Sequence, residues 1–307
     1  MKSPIPWVGG KRSLLHEILP RFPLKYSKYI EVFGGGASVL FAKPPTPYEI
    51  YNDYNSDLVN LFLVLKEKPI SFLKELRLLP INSREEFQYL KKLLKGTAIQ
   101  YEHIEEEIRV AETVFNEEDY KEIKEILKTK ATLFDVNRAV VFYRIQKISY
   151  GARGTSYNAT PAALSIKKIT IEIMRAYHRL QRVVIENQSF EDLIDKHTDD
   201  PDAFYYCDPP YYETEGHYDA EFSKEQHEIL RDKLTQIRGK FLLSYNDCEY
   251  IRELYKDFYI VPVVRLNNLK QKYDPGSIYE ELLIANYNII DTRYTKPKQL
   301  NIWEEYE

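Results

Sequence analysis

The pattern of apolar and polar residues along this chain alternates between short runs typical of strands and stretches with the period of a helix. Short apolar runs bounded by glycine, proline or polar residues predict strands, and they read KYIEV, YEIYN, AFYYC, GKFLLSYND, FYIVPVVRL and YEELLIANYNI. Stretches of helical period lie between several of these runs, including NSDLVNLFLVLKEK, SKEQHEILRDKLTQI and CEYIRELYKDF. Because strands and helices alternate, the pattern predicts a parallel α/β sheet.

A long helical block interrupts this alternation. Residues 66–180 lie between the second strand–helix unit and the third strand, and their pattern is mostly helical. A chain of 307 residues, 44% hydrophobic and 29% charged, is long enough for one large domain that carries a smaller insertion. We therefore predict a main domain formed by residues 1–65 and 181–307, with residues 66–180 as an inserted domain.

Charge is distributed unevenly in this part of the chain. Residues 102–125 contain ten acidic and three basic residues, whereas residues 138–183 contain nine basic residues and one acidic residue, Glu172. The overall charge of -4 hides this contrast. The acidic segment predicts a solvated pair of helices. The basic segment is either a solvated helical surface or the contact surface for a polyanion.

Composition argues against several classes of protein. The chain has no run of about 18 apolar residues, so no membrane span is expected. Its first residues, MKSPIPWVGGKRS, lack a continuous apolar core, so we expect no secretory signal and a cytoplasmic location. Two cysteines, Cys207 and Cys248, do not make a disulfide framework, and the six histidines show no metal-ligand spacing. We expect no metal site.

A glycine-rich turn follows the first predicted strand. The sequence FGGGAS, residues 33–38, places three glycines where the backbone can approach a ligand closely, next to the free amides of a helix N-terminus. Asp53 ends the next strand, where a carboxylate can accept hydrogen bonds from ribose hydroxyls, although it could instead cap the following helix. The turn lacks the third spaced glycine of the pyrophosphate-binding pattern. This combination favours a nucleoside cofactor without a pyrophosphate, such as S-adenosylmethionine.

The sequence CDPPYY follows the third predicted strand. That strand brings Asp208 to the carboxyl edge of the sheet, where open α/β folds bind ligands. Pro209 and Pro210 stiffen the turn and hold Tyr211 in one direction. A planar amine can stack on Tyr211 while its amino group donates to Asp208 and to the Pro209 carbonyl, which leaves the nitrogen lone pair free to attack a methyl sulfonium. The alternative is an ordinary Asp-Pro-Pro turn that binds no ligand.

Several motifs together identify a resemblance. In order along the chain they read PWVGGKRSLLHEILPRFP, YIEVFGGGAS, IYNDYNSDLVNLF, IENQSF, YYCDPPYY, SYND and YEELLIANY. In this order they resemble the motifs of S-adenosylmethionine-dependent DNA adenine methyltransferases of the Dam type, the D12 class. The resemblance implies a Rossmann-like sheet of the class I methyltransferase type with helices on both faces. It also implies an inserted, mostly helical DNA-recognition domain that carries a β-hairpin.

The resemblance also assigns residues to the cofactor and to the target base. Asp208, Pro209, Pro210 and Tyr211 would hold the adenine. The methionine end of the cofactor would lie near Lys11, the ribose at Asp53, and the adenine at Ser189 and Phe190. The turn departs from the family's F-x-G-x-G in ending with Ala37. The full set implied for the cofactor is Trp7, Gly10, Lys11, Glu31, Phe33, Gly34, Gly35, Gly36, Ser38, Asp53, Ser189, Phe190 and Asp208.

DNA binding is implied by the same resemblance. A base inside a duplex must flip out to reach such a pocket, and residues 143–158 match the position of the family's base-reading hairpin and of the helix before it. Tyr150 is a candidate wedge between bases. The residues expected to contact DNA are Arg144, Lys147, Tyr150, Arg153 and Asn158.

Partners and alternative functions complete the predictions. We expect double-stranded DNA as substrate and a monomer or weak dimer. The enzyme either has a restriction endonuclease of the same system as a partner or acts alone. The tail Gln299–Trp303 resembles peptides that bind sliding clamps, or else it packs on the body of the protein. The alternatives are a cytosine amino-group methyltransferase, which the same trap would serve, and a non-catalytic DNA-binding module. Cys207 lacks the Pro-Cys setting of a cytosine-C5 nucleophile. An RNA or small-molecule methyltransferase would not need the basic hairpin.

Overall fold

The computed structural model describes residues 1–78, 87–88, 90–91, 94, 102–133, 135–149, 166–212, 222–266 and 278–289. Internal contacts divide the chain into two compact units. The first unit consists of Met1, Lys11–Asn52 and Gln188–Glu307, and the second consists of Lys2–Gly10 and Asp53–Asn187. The predicted division into a main domain of residues 1–65 and 181–307 and an inserted domain of residues 66–180 stays a prediction.

The described strands are short. They are β1 (Lys28–Glu31), β2 (Tyr48–Asn52), β3 (Val183–Glu186), β4 (Ala203–Cys207), β5 (Lys240–Asn246), β6 (Tyr259–Leu266) and β7 (Ile278–Ala285). The strand runs predicted from sequence coincide with β1, β2, β4, β5, β6 and β7. This agreement confirms the α/β class.

The described helices fall in both units. They are α1 (Leu15–Ile18), α2 (Ser38–Ala42), α3 (Ser56–Glu67), α4 (Pro69–Leu78), α5 (Glu102–Val114), α6 (Glu117–Leu133), α7 (Val136–Ile148), α8 (Ile166–Leu180), α9 (Phe190–Asp195), α10 (Lys224–Gln236) and α11 (Glu249–Leu254). Short 3-10 helices cover Lys11–Leu14 and Leu19–Arg21. No helix in the described ranges is long and apolar enough to cross a membrane.

The strands of the first unit lie in the order β2-β1-β4-β5-β7-β6. The pairs β1/β2, β1/β4 and β4/β5 are parallel, as predicted, but β7 runs antiparallel to both β5 and β6. The prediction of an entirely parallel sheet is therefore wrong for β7. The physical reason is the connection, because residues 267–277 are fewer than the dozen or so that a parallel crossover requires.

The centre of this sheet is covered on both faces. Neighbouring residues of a strand point to opposite faces, and Tyr205 and Tyr206 of β4 are both buried, at 0% and 2% exposure. All five residues of β4 are buried, which matches the continuous apolar run expected for a strand that has no solvent face. The parallel strands β1, β4 and β5 thus form a rigid base for the loops at their carboxyl ends.

The second unit is mostly helical in its described part. Helix α3 packs on α7 and α8, and α4 packs on the same two helices. The Asn60 side chain joins α3 to the start of α7, since it accepts a hydrogen bond from the Asp135 amide and donates one to the Asp135 carbonyl, each 2.9 Å long. The acidic helices α5 and α6 pack against each other. Residues 150–165, which include most of the predicted hairpin, lie outside the described residues.

Candidate active site

Two parallel strands bring the predicted catalytic and cofactor loops to one edge of the sheet. In the β1/β4 pair, Glu31 lies opposite Tyr206, and the Val32 amide donates to the Tyr206 carbonyl at 3.0 Å. Strands β1 and β4 therefore end at the same edge of the sheet. The glycine-rich turn and the segment Asp208–Tyr211 both lie at this carboxyl edge, where open α/β sheets bind ligands.

Asp208 is held by two side chains from elsewhere in the first unit. Lys11 Nζ lies 2.6 Å from Asp208 Oδ2, and Ser244 Oγ donates to Asp208 Oδ1 at 2.9 Å. Lys11 is itself only 3% exposed. Burial raises the pKa of Asp208 above its ordinary value, and the Lys11 ammonium opposes that rise. The carboxylate thus has a fixed orientation and a buried counter-ion.

Tyr211 presents a ring that is fixed at several points. Lys11 Nζ lies 4.8 Å from the centre of the ring, and the Tyr245 ring centre lies 5.9 Å away. The Tyr211 hydroxyl donates to Glu281 Oε2 at 2.5 Å. The next residue, Tyr212, instead packs on Tyr250 with ring centres 4.4 Å apart. Tyr211 is therefore the residue of this pair that is placed beside Asp208 and Lys11.

The glycine-rich turn is a tight backbone structure. The Gly34 amide donates to the Asn52 carbonyl at 2.7 Å, and the Ala37 amide donates to the Gly34 carbonyl at 2.8 Å. A Cβ atom at Gly34 would lie 2.1 Å from the Tyr51 ring, so only glycine fits there. Gly35 and Ala37 adopt positive φ values of 49° and 54°. The left-handed backbone at Ala37 explains why the family pattern ends this turn with glycine.

Aromatic side chains line the region after β1. The Phe33 ring centre lies 5.4 Å from that of Phe190 and 5.8 Å from that of Phe222. Ser189 caps α9, because its hydroxyl oxygen accepts from the Asp192 amide at 3.1 Å. The predicted adenine contacts, Ser189 and Phe190, thus belong to a helix start that adjoins an apolar aromatic cluster.

Comparison with known proteins decides the family. Residues 7–269 match the model of the D12 class N6 adenine-specific DNA methyltransferases. This chain belongs to that family. The predicted family and the predicted activity, adenine-specific DNA methylation, are confirmed. DNA is its substrate, and membership implies S-adenosylmethionine as the methyl donor.

Individual relatives are similar along most of this D12 methyltransferase. The type II methyltransferase M1.LlaDCHI of Lactococcus lactis subsp. cremoris is 29% identical over 299 residues, which cover 92% of this chain and 94% of the relative. The DNA adenine methylase of Haemophilus influenzae is 24% identical over 267 residues, 82% of each chain. The type II methyltransferase M.FokI of Planomicrobium okeanokoites is 25% identical over 327 residues, which cover 96% of this chain and 44% of the relative.

Four residues of this D12 methyltransferase site have structural roles that sequence reasoning did not assign. Ser244 and Glu281 lie in the motifs SYND and YEELLIANY, in which no individual site residue was predicted, and Arg265 lies outside the motifs. The Asn52 side chain donates to the carbonyls of Val32 and Gln188 at 3.0 and 3.1 Å, which ties the ends of β1 and β2 to the segment before α9. The sequence signal for such residues is a polar residue within a mostly apolar strand, because polar side chains are usually buried only where they have hydrogen-bond partners.

Glu31, a predicted cofactor residue, is buried at the end of β1, shortly before the glycine-rich turn. It is 2% exposed, and Tyr29 donates to its Oε2 atom at 2.6 Å. Burial raises the pKa of Glu31 from 4.5 to about 8, although the Tyr29 hydrogen bond and the Lys43 charge oppose the rise. The raised pKa favours the protonated form of Glu31 at neutral pH.

The raised pKa predicts how stability depends on pH. Between pH 4.5 and about 8, the folded state retains the Glu31 proton that the unfolded chain has released. The stabilisation is complete below pH 4.5 and is lost as the pH rises through about 8. Within this window each pH unit lowers the free energy of unfolding by at most about 1.4 kcal/mol. We expect Glu31→Gln to remove this part of the slope, as measured by urea unfolding from pH 5 to pH 8.

Exposed Glu253 supplies the control for this experiment. Glu253→Gln changes the same chemical group at the surface, so its pH slope is expected to match that of the wild type. A Glu31→Gln variant whose slope also matches the wild type would contradict the buried, protonated state of Glu31.

Three predicted cofactor residues lie in the second unit. The Trp7 ring centre is 6.1 Å from that of Phe142, and the Gly10 amide donates to the Trp7 carbonyl at 3.2 Å. Asn55 rather than Asp53 caps α3, because the Asn55 side chain accepts from the amides of residues 57 and 58. The capping alternative for Asp53 is therefore excluded. Asp53 Oδ1 accepts from the Asn55 amide at 2.8 Å, and its contact with ribose stays a prediction.

The predicted DNA-binding residues differ in their surroundings. Arg144 of α7 is 0% exposed and lies inside the second unit. Lys147 lies 3.5 Å from Glu172 Oε2 and 5.2 Å from the Tyr143 ring centre. Burial lowers the pKa of Lys147, and Glu172 opposes this effect. Tyr150, Arg153 and Asn158 lie outside the described residues. All five DNA contacts stay predictions.

Proposed function

We propose that this enzyme methylates the N6 amino group of an adenine that is flipped out of double-stranded DNA and held by Asp208, Pro209, Pro210 and Tyr211. The observation that carries the proposal is the carboxylate of Asp208, which Lys11 and Ser244 hold at the carboxyl end of β4 beside the glycine-rich turn. The family supplies the substrate class. Flipping follows from the position of the N6 group inside a stacked duplex.

The first unit fits S-adenosylmethionine by its chemistry. The turn at Gly34–Gly36 allows close backbone approach, the Glu31 carboxyl group can pair with an amino group once it ionises, and Phe33 and Phe190 offer apolar ring faces to an adenine. When bound, this cofactor supplies an electrophilic methyl group on a sulfonium centre. The assignments of Lys11, Ser38 and Ser189, and of Trp7, Gly10 and Asp53 in the second unit, belong to the same proposal.

The chemistry of the enzyme's own residues follows from the geometry at Asp208. A carboxylate oxygen accepts more than one hydrogen bond, so the bonds from Lys11 and Ser244 leave acceptor capacity for the target amino group. The Pro209 carbonyl is the second acceptor. Two such bonds draw the nitrogen lone pair out of conjugation with the base and aim it at the methyl group. Burial raises the pKa of Asp208, which makes it a better acceptor for the proton that the methylated nitrogen releases.

Analysis of the methylated product tests the proposal. Purified enzyme is incubated with S-adenosylmethionine labelled in the methyl group and with double-stranded genomic DNA, and the hydrolysed nucleosides are identified by mass spectrometry. We expect N6-methyladenine, with RNA competing poorly. N4-methylcytosine as the product would favour the alternative that the same trap serves. Sequencing of the methylated DNA then identifies the recognition site.

Further parts of the proposal concern metal ions and domains. A sulfonium methyl group is electrophilic without a Lewis acid, so we propose that transfer needs no metal and that EDTA leaves the rate unchanged.

We propose that residues 66–180 recognise DNA, with residues 1–65 and 181–307 as the catalytic domain. The basic residues at 138–183 support this assignment.

Protein partners also belong to the proposal. Two of the relatives described above are named type II methyltransferases. We propose that a restriction endonuclease accompanies this enzyme, so that DNA methylated by it resists that nuclease. We propose that the enzyme acts as a monomer or weak dimer, which ultracentrifugation tests. The tail Gln299–Trp303 lies outside the described residues. A sliding clamp that fails to retain the full chain in a pull-down would exclude that partner.

A further inference from the structure

A buried carboxylate lies behind the ring of Tyr211. Glu281 is 1% exposed, and its Oε2 atom accepts a hydrogen bond of 2.5 Å from the Tyr211 hydroxyl. It lies in β7, opposite Asn246 of β5 and Val263 of β6. Carboxylates are rarely buried so completely unless their oxygens are paired. Both oxygens of Glu281 are therefore expected to have specific partners.

Arg265 pairs with the other oxygen of Glu281. The Arg265 Nε atom donates to Glu281 Oε1, and the guanidinium lies 4.5 Å from the centre of the Tyr279 ring. Both oxygens of Glu281 are thus engaged, one by a cation and one by Tyr211. Because charge-assisted hydrogen bonds of this kind are directional and strong, they fix the rotamer of Glu281.

Glu281 and Asp208 are separate acidic groups with separate cations. Lys11 pairs with Asp208, and Arg265 pairs with Glu281. Each carboxylate also makes one bond to a hydroxyl group, from Ser244 and from Tyr211 respectively. The charge of Glu281 is therefore balanced without Lys11, which leaves Lys11 to hold Asp208.

The bond to Glu281 restrains where the Tyr211 side chain is placed. The preceding prolines restrict the backbone, but the ring can still turn about its side-chain torsions. A rotation about the Cα–Cβ bond would carry the hydroxyl away from Glu281 and break the hydrogen bond. Rotation about the Cβ–Cγ bond leaves the hydroxyl oxygen in place, and the neighbouring Tyr245 ring and Lys11 ammonium restrict that motion instead. Burial raises the pKa of Tyr211 well above its ordinary value, so the hydroxyl keeps the proton that it donates.

We propose that Glu281 is a positioning residue for methyl transfer, which, held by Arg265, fixes the Tyr211 side chain in the position at which the target base stacks on its ring. The inference rests on the proposed function, in which Tyr211 is the stacking surface. Glu281 does not touch the base or the cofactor in this role. Its loss misplaces the base relative to the methyl group and leaves cofactor binding intact.

The test compares two neighbouring glutamates of β7. Glu281→Gln replaces the buried carboxylate, and Glu280→Gln makes the same change at an exposed neighbour. We expect Glu281→Gln to lower kcat by about 10- to 100-fold, because small misplacements of a reacting group are costly, with the KM for S-adenosylmethionine within about twofold of the wild type. Glu280→Gln is expected to retain wild-type values. A wild-type kcat in Glu281→Gln would overturn the inference.

A spectroscopic readout separates positioning from a merely structural role. DNA with 2-aminopurine at the target position of the mapped recognition site reports how the flipped base stacks. We expect its fluorescence in the Glu281→Gln complex to differ from that in the wild-type and Glu280→Gln complexes. Identical fluorescence in all three complexes would overturn the positioning role.

A double-mutant cycle tests the route through the hydroxyl. Tyr211→Phe keeps the ring and removes the bond, so we expect Glu281→Gln to lower kcat by less than about twofold further in that background. A full additional loss would show that Glu281 acts through the strands instead. If Glu281→Gln does not fold, Tyr211→Phe alone decides, because a wild-type kcat and fluorescence in that variant would overturn the inference.

One more variant distinguishes this inference from the proposed function. Tyr211→Ala removes the stacking ring itself. A wild-type kcat in Tyr211→Ala would contradict the proposed stacking role. A defective Tyr211→Ala beside a wild-type Glu281→Gln would contradict only the positioning role of Glu281.

Discussion

Replacing Asp208 by alanine is expected to abolish methyl transfer to duplex DNA while S-adenosylmethionine binding stays measurable. Asp208 is the carboxylate that accepts from the target amino group in the proposed mechanism, and Lys11 and Ser244 hold it in place. Removal of one pre-positioned group that acts in the transition state costs on the order of 10²–10³ in kcat. Loss of the proton acceptor adds to this cost. Single-turnover transfer of a labelled methyl group measures the rate, and calorimetry measures cofactor binding.

Two further variants make this result interpretable. Asp208→Ala and Asp208→Asn both leave the ammonium of Lys11 buried without its counter-ion. Asp208→Asn keeps the shape of the side chain, so comparing the two variants separates loss of the carboxylate from loss of packing, and urea unfolding of both checks that they fold. Asp232→Asn changes an exposed aspartate of α10 and is expected to keep the wild-type rate. Full activity in both Asp208 variants would refute the proposed role of this carboxylate.

Lys11→Met is expected to produce the second large effect, on stability and on the pH profile together. Lys11 is 3% exposed and lies 2.6 Å from Asp208 Oδ2. Removal of one partner of a buried ion pair leaves an uncompensated charge and typically costs about 3–5 kcal/mol of unfolding free energy. Lys11 also lowers the pKa of Asp208, so its loss raises that pKa further. We expect Asp208 to ionise only at higher pH, with activity that increases as the pH rises.

The measurements for Lys11→Met are urea unfolding and the pH dependence of kcat. Arg12→Met serves as the control, because Arg12 is the neighbouring cation and is exposed. Lys11→Arg restores the charge with a different geometry, so we expect it to restore the pH profile more than the rate. A Lys11→Met enzyme with the stability and pH profile of the wild type would contradict the role of the ion pair.

Local sequence patterns predicted most of the first unit. The apolar runs locate β1, β2, β4 and β5 because a strand without a solvent face consists mostly of apolar residues. Gly34 and the pair Pro209–Pro210 are also local signals, since glycine allows a close approach that a side chain would block and proline restricts its own backbone. The mixed direction of the sheet was missed. The direction of β7 depends on which strands it pairs with, and no periodicity within β7 contains that information.

The residues that hold the site depend on distant pairings. Ser244 reaches Asp208 because β5 lies beside β4, and Glu281 reaches Tyr211 because β7 lies beside β5. The family resemblance placed the basic residue Arg144 among the expected DNA contacts, and the structure buries its side chain. Charge alone does not predict exposure, since a cation can be buried where its neighbours provide partners.

The sequence by itself determined the chemical groups of this D12 methyltransferase and the local backbone that carries them. It specified an aspartate followed by two prolines and a tyrosine at the end of one strand, and a glycine-rich turn at the end of another. Only the tertiary structure decided that Lys11 and Ser244 hold Asp208 and that Glu281 and Arg265 hold Tyr211. The physical reason is that turn geometry depends on residues next to each other in the chain. Pairing within the sheet instead brings together side chains that are far apart in sequence.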